Sequence, residues 1–386
     1  MGIREVSGAR ETADAVIVGG GVIGLSVARS LAQRGLKSVT VIEQARLGAE
    51  SSHAAAGMLA AQAEADQADA FLELACAGRD LYPSFTESLR EETGIDIELE
   101  RTGTLYLAFT EEDEAEIEHR YRWQRRAGLP VEEVSADEAR RLEPFISPHV
   151  RSALRFPLDG QVENRRLVAA LVAAARELQV RLLTGTHVES LNIERGQVVG
   201  VETARGRVHA PVVVVAGGAW TSLISSSDTR LPPVRIEPVR GQMLCFEALQ
   251  RPFRHVIYSP RGYVVPRMDG RLLAGSTTEH AGFDKRVTGG GVRAVATHAQ
   301  EIAPMIDSLP LVDAWAGLRP RSLDDLPVLG GCAEVNGLYY ATGHYRNGIL
   351  LAPITGELIA EQVACGVTSP LLKAFAPDRF AYAAIS

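Results

Sequence analysis

Cysteine is scarce in this chain. There are four in 386 residues, at Cys76, Cys245, Cys332 and Cys365, and none forms a Cys-x-x-Cys pair. That usage leaves no thiolate metal cluster, so no metal is expected, and it suits a reducing compartment. Basic runs are missing too. The 48 acidic residues outnumber the 40 basic ones, and the formal charge of −8 argues against a nucleic-acid surface. No apolar stretch reaches the roughly 20 residues that a membrane span needs. The N-terminus lacks a basic segment followed by a long apolar one, so no signal peptide is expected either. Repeats and low-complexity tracts are absent. These absences leave a cytoplasmic globular protein, too long for one ordinary core and expected to fold as two domains.

What is present begins near the N-terminus. Ala15 to Val18 is a short continuous apolar run, the pattern of a strand buried on both faces. Gly19, Gly21 and Gly24 follow with the spacing G-x-G-x-x-G. From Val22 the apolar period becomes helical, and Ile23, Val27, Ala28 and Leu31 share one face up to Gly35. A second apolar run, Val39 to Ile42, ends at Glu43, about 20 residues past the glycines, where the dinucleotide fingerprint expects an acid. The first glycine permits a tight turn, the second admits a pyrophosphate, and the third lets helix and strand pack closely. The helix N-terminus offers free N–H groups to phosphate. Glu43, flanked by Gln44, can accept from both ribose hydroxyls and disfavours a 2′-phosphate, which argues against NADP. FAD and NAD both remain compatible with this stretch.

The rest of the chain alternates two architectures. Small residues fill Ser51 to Met58, either as a loose loop whose serines cap a helix or as backbone lying close to an extended cofactor. Helices are expected over 71–92, 111–126 and 164–179, with a short one opened by Ser135 and Glu138. The 111–126 helix carries Glu116/Arg120 and Glu118/Arg122 at i,i+4 and reads as a solvated face. Strands are expected at 104–109, 180–183, 187–193, 198–203 and 212–215. The last of these runs into Ala216, Gly217 and Trp220 at a sheet's carboxyl edge, where open α/β sheets place ligands. From 234 to 325 the pattern turns to antiparallel β, interrupted by a helix over 290–305. A hairpin turn at Asn336-Gly337 and a helix ending near Cys365 close the chain.

Several of these segments together resemble the D-amino-acid oxidase superfamily, and within it the bacterial glycine oxidases linked to thiamin thiazole synthesis. The markers are Gly19-Gly-Gly-Val-Ile-Gly24, Ala54-Ala-Ala-Gly-Met-Leu59, Val239-Arg-Gly-Gln242, Tyr263-Val-Val-Pro-Arg267, Trp315-Ala-Gly-Leu-Arg-Pro320 and Gly343-His-Tyr-Arg-Asn-Gly-Ile-Leu-Leu-Ala-Pro353. The resemblance implies a mixed α/β and α+β fold, in which a Rossmann-like FAD-binding domain is interleaved with an antiparallel-sheet substrate domain. The expected segments are 12–85, 150–233 and 326–366 for the first, and 86–149 and 234–325 for the second.

It also implies non-covalent FAD held in an extended conformation. The expected cofactor contacts are Gly19, Gly21, Val22, Ile23, Gly24, Glu43 and Gln44, then Ser51, Ser52, Ala56, Gly57 and Met58. Val188 would reach the adenine by its backbone, and Ala216, Gly217 and Trp220 complete that side. His344, Tyr345, Arg346, Asn347, Gly348, Ile349 and Leu350 would lie under the flavin. A helix N-terminus there would face the charge that gathers on the reduced ring. Arg319 is implied as the carboxylate anchor, Tyr263 as its hydroxyl partner and Arg346 as a further catalytic contact. Arg319 suits the task because guanidinium is a permanently charged, two-pronged donor. Two positions depart from the family pattern. Arg261 stands where a His is usual and Thr278 where a Met lines the substrate pocket, which puts strict glycine preference in doubt.

The implied reaction is oxidative deamination of glycine, sarcosine or a small D-amino acid, with hydride passing from Cα to flavin N5. The imine hydrolyses to an oxo acid and ammonia, and oxygen is reduced to hydrogen peroxide. No buried base stands out in the sequence, so orientation would carry much of the rate. A dehydrogenase with another electron acceptor and a non-catalytic FAD-binding module are the alternatives. The family often assembles as homotetramers, so a homo-oligomer is expected.

Overall fold

The computed structural model describes residues 11–226 and 231–380. Residues 227–230, inside the expected 150–233 segment, lie outside the described residues. A six-stranded sheet is ordered Val328–Gly331, Leu338–Thr342, Val213–Val215, Ala15–Val18, Val39–Ile42 and Arg181–Leu183. Its pairings are parallel except between the first two strands. The continuous apolar runs have a direct cause, because both faces of this sheet are covered. Ala15, Ile17, Val39, Val41 and Val214 pack against Val27, Leu31 and Ile359 on the helical side. Val16, Val18, Val213 and Val215 pack against Leu191, Val198, Val201 and Val208 of a second, five-stranded sheet. The helical layer consists of Val22–Gln33, Asn164–Glu177 and Gly348–Cys365, backed by Ala70–Thr93.

The eight-stranded sheet runs Leu311–Ser322, Ile236–Glu247, Arg271–Gly275, Gly262–Pro266, Val256–Ser259, Thr104–Ala108, Ser152–Phe156 and Glu132–Ser135. Most of its central strands are buried on both faces, and successive side chains alternate between two cores. Leu244, Val264, Leu272 and Ala274 face a core shared with Val295 and Ala299 of the Gly289–Ile302 helix. Met243, Cys245, Tyr263, Val265 and Leu273 share another cluster, with Ala56 from the dinucleotide side.

Several expectations need correction. The eight-stranded sheet is antiparallel except where Val256–Tyr258 meets Thr104–Tyr106 in parallel, two strands delivered by separate stretches of chain. Ser152–Phe156 pairs with Thr104–Ala108 in this sheet, so the expected break at 149/150 falls too early. The helix Ala70–Thr93 runs unbroken through the expected break at 85/86, stopping at Gly94 in the left-handed conformation. The strands Glu132–Ser135, Ser152–Phe156 and Val328–Gly331 were not expected from the sequence. The helix Glu111–Arg126 has the expected bounds and both i,i+4 ion pairs. Its face is not simply solvated, however, because Arg120 and Gln124 are buried. The Arg120 guanidinium donates to the carbonyls of Ala63 and Ala65 and to Asp66. The helix Gly348–Cys365 has the length and apolar composition of a membrane span, and 61% of it is buried inside the protein.

Candidate active site

The glycine stretch builds one end of a cavity. A Cβ on Gly24 would come within 2.0 Å of the Gly19 carbonyl, so the helix Val22–Gln33 can approach its strand only because this residue is glycine. Gly21 precedes that helix without a side-chain cap, and the Val22 N–H donates to Ser52 Oγ at 2.9 Å. Ser52 thus partly caps the helix while lying along the cavity. The Glu43 carboxylate is buried at the end of its strand, where Oε2 accepts from Gly20 N–H and Oε1 from Ala45 N–H, each at 2.8 Å. Those bonds orient it and leave further acceptor capacity on each oxygen.

The cavity runs from Gly19, Glu43 and Val188 past Ser51 and Gly57 to Tyr263 and Arg319. Gly21, Val22, Ile23, Gln44, Ser52, Ala56 and Met58 also line it, as do Ala216, Gly217 and Trp220. From the C-terminal segment come His344, Tyr345, Arg346, Asn347, Gly348 and Ile349. Gly24 and Leu350 are not on its wall; they act from behind, as close packing under Gly19 and as buried core beside the Ala70–Thr93 helix. The helix Gly348–Cys365 also starts with no cap from its own N-cap residue, Asn347, so two helix N-termini open on the same space. Anion-accepting helix ends and a buried acid in one elongated cavity fit FAD.

At the far end, the Arg319 guanidinium lies directly over Gly241, where a Cβ would come within 2.3 Å of Nη2. Nη1 donates to the Thr277 carbonyl at 3.1 Å and Nη2 to Ser276 Oγ at 2.6 Å. Only two of its five donors are used, and no carboxylate among the described residues forms an ion pair with it. Tyr263 is buried and donates to Met243 Sδ at 3.3 Å. Its hydroxyl lies against Gly275, the residue before Ser276. Arg346 donates to Glu64 Oε1 and to the Tyr258 hydroxyl, each at 3.1 Å, and the Glu64 carboxylate drives its pKa upward. The Tyr258 ring stacks on Tyr263 with centroids 6.0 Å apart. Burial drives the Tyr258 pKa upward, keeping its phenol neutral. Burial also pushes the His344 imidazole down to about 3, and its Nε2 lies 3.0 Å from Thr355 Oγ1. That imidazole is neutral and already partnered.

Two expected substrate residues are not brought to the cavity. Arg261 donates to Glu301 at 2.7 Å and to Asp113 at 2.9 Å, and those carboxylates hold it away from the wall. Thr278 is exposed; it is the preceding Thr277 that turns its carbonyl to Arg319. Conversely, Gly241, Glu64, Tyr258 and Arg267 escaped the sequence reading. Gly241 and Arg267 lay inside quoted markers without an assigned role. Arg267 is buried and donates to the Ala56 carbonyl at 2.9 Å and the Val162 carbonyl at 2.8 Å, pinning the backbone at Ala56 on the cavity wall. Burial pushes its guanidinium down to about 10. For Glu64 the only available signal was a lone acid in the alanine-rich run Ala60 to Ala65. Among the described residues, no cluster of three or more His, Cys, Asp or Glu side chains could hold a metal ion.

Comparison with known proteins agrees with this geometry. The family described as "DAO: FAD dependent oxidoreductase" matches residues 14–362. Glycine oxidase from Geobacillus kaustophilus is 38% identical over 352 residues, covering 91% of this chain and 92% of that protein. Its crystal structure superimposes with a TM-score of 0.91 at 36% identity, covering 96% of this chain and 99% of the other. The bifunctional protein ThiO/ThiG of Trichormus variabilis is 37% identical over 374 residues, which is 96% of this chain and 55% of that protein. L-Proline dehydrogenase from P. horikoshii superimposes with a TM-score of 0.87 at 26% identity, covering 97% and 99% of the two chains. On its own glycine loop, the helix N-termini that open on its cavity and these likenesses, the chain belongs to the DAO family of FAD-dependent oxidoreductases.

Proposed function

We propose that this protein catalyses FAD-dependent oxidative deamination of glycine or another small amino acid, with oxygen as electron acceptor. The observation that carries the reading is Arg319, an ion-unpaired guanidinium over Gly241 in the same cavity as the N-terminus of Gly348–Cys365. Bound FAD supplies the two-electron acceptor. Arg319 takes the substrate carboxylate through its unused donors, and the Tyr263 hydroxyl adds a directional contact. No side chain at this end is arranged as a strong base. His344 is neutral and bonded to Thr355, Tyr258 is kept protonated by burial, and Arg346 is paired with Glu64. The substrate therefore reacts with its amine unprotonated, and the chain contributes orientation and exclusion of water.

The relatives named glycine oxidase and ThiO/ThiG support glycine as a substrate and a part in thiamin thiazole synthesis. Assembly as a homotetramer, a cytoplasmic location and the residue roles given above belong to the same proposal. The likeness to a proline dehydrogenase makes the electron acceptor the point to test. The FAD-loaded protein is mixed anaerobically with glycine, sarcosine, D-alanine, D-proline and L-alanine in turn. Bleaching by glycine or a D-isomer, reversed by air with peroxide released, is the expected outcome. Bleaching that air does not reverse makes the protein a dehydrogenase, and a flavin that no amino acid bleaches overturns the deamination reading.

A further inference from the structure

Glu64 has no part in the chemistry derived so far, yet it lines the substrate end of the cavity. Its side chain is 9% exposed and its Oε1 lies 3.1 Å from Arg346 Nη2. The segment presenting it is held from both sides. The Gln62 and Ala63 N–H groups donate to Asp159, and Arg120 donates to the carbonyls of Ala63 and Ala65. Arg346 is tied back to the substrate end by its bond to the Tyr258 hydroxyl, whose ring stacks on Tyr263. The other acids on the cavity wall are engaged elsewhere. Glu43 accepts backbone N–H groups at the ribose end, and Glu50 is paired with Lys285 at 2.8 Å. Counting charges at the substrate end among the described residues, Glu64 cancels Arg346 and leaves Arg319 uncompensated.

We propose that Glu64 is a specificity-determining residue that selects substrates bearing a single carboxylate and rejects those carrying a second acidic group. Resting on the amino-acid reading above, the inference names the substrate class. One carboxylate neutralises Arg319. A second brings like charge towards a desolvated Glu64, while the cation that could receive it, Arg346, is already paired. Like-charge juxtaposition in a partly buried site is strongly unfavourable.

The test is equilibrium titration of the FAD-loaded protein with glycolate, which has one carboxylate, and tartronate, which has two, followed by the change in flavin absorption. The quantity read is the ratio of dissociation constants, tartronate over glycolate. In the parent protein tartronate binds more weakly. Glu64→Gln lowers the ratio about tenfold, because the repulsion is removed and Arg346 is freed. Arg346→Met raises it, because Glu64 is left unpaired. A role that was merely structural would move both variants the same way. A ratio unchanged in Glu64→Gln, or moving in the same direction in both variants, overturns the proposal. Should Glu64→Gln fail to fold or to retain FAD, Glu64→Ala is read in its place, and a ratio that does not fall there overturns the proposal. Because binding is measured, the result stands apart from the bleaching experiment, whose failure would sink the deamination reading by itself.

Discussion

Arg319 is only as useful as the space under it. Gly241 supplies that space, and an alanine methyl there would fall within 2.5 Å of the guanidinium carbon. The Gly241 backbone is not in the left-handed region, so Gly241→Ala costs little in folding and acts by pushing a flexible side chain aside. Its expected result is a KM for the amino acid raised about 10-fold or more with FAD retained, alongside a rise of about 100-fold or more for Arg319→Ala. Steady-state kinetics on both variants decide the matter, and an unchanged KM in either would remove Arg319 from the anchor role. A second residue-scale consequence concerns pH. Burial pushes the Asp159 carboxyl up to about 7, although two backbone N–H groups and Arg79, 3.7 Å away, favour its charged form. A folded value above the unfolded one means that its stabilising contribution is complete below about pH 4 and is lost as pH rises to 7. Asp159→Asn removes that dependence. Its stability relative to the parent should improve by about 2–3 kcal/mol between pH 5 and pH 8, read from denaturant melts. The opposite slope from His344 is common to both proteins and cancels in the difference.

At the scale of elements, the helix Gly348–Cys365 carries an internal proline that its position tolerates. Pro353 has no N–H, so the Ile349 carbonyl loses its partner four residues on. The fully buried Tyr82 hydroxyl donates to that carbonyl at 2.5 Å, from the Ala70–Thr93 helix packed alongside. Tyr82→Phe leaves a buried acceptor unsatisfied and should cost about 1–3 kcal/mol, measured as a fall in the denaturant midpoint. No loss would show that water or a backbone shift satisfies Ile349. The helix periods, the buried strands and the glycine loop were legible in the sequence because each is a short-range pattern. Glu132–Ser135 was not, since its burial shows a single inward residue, Val134, and gives no period to detect.

For the whole molecule, the two architectures share segments. The chain enters the eight-stranded sheet at Thr104–Ala108, leaves after Ser152–Phe156 and returns at Ile236–Glu247. Such interleaving, with Arg267 bonding across to Ala56 and Val162, predicts one cooperative thermal transition. Bound FAD should stabilise both sheets together, by about 4 kcal/mol at a thousandfold excess over Kd. Two resolved transitions in calorimetry, only one of them moved by FAD, would show instead that the sheets fold independently.

The sequence by itself determined the glycine turn and the acid at one end of the cavity. Gly19, Gly21, Gly24 and Glu43 lie within one strand–helix–strand unit, where spacing along the chain is nearly spacing in the fold. Tertiary structure decided the other end. It drew Arg261 away to Asp113 and Glu301, left Thr278 exposed, slid Arg319 over Gly241 and joined Arg346 to Glu64 across a separation of 282 residues. Local pattern carries backbone conformation and burial, because those depend on neighbours a few residues away. Which cation is free to meet a substrate depends on which acids the folded sheets bring beside it.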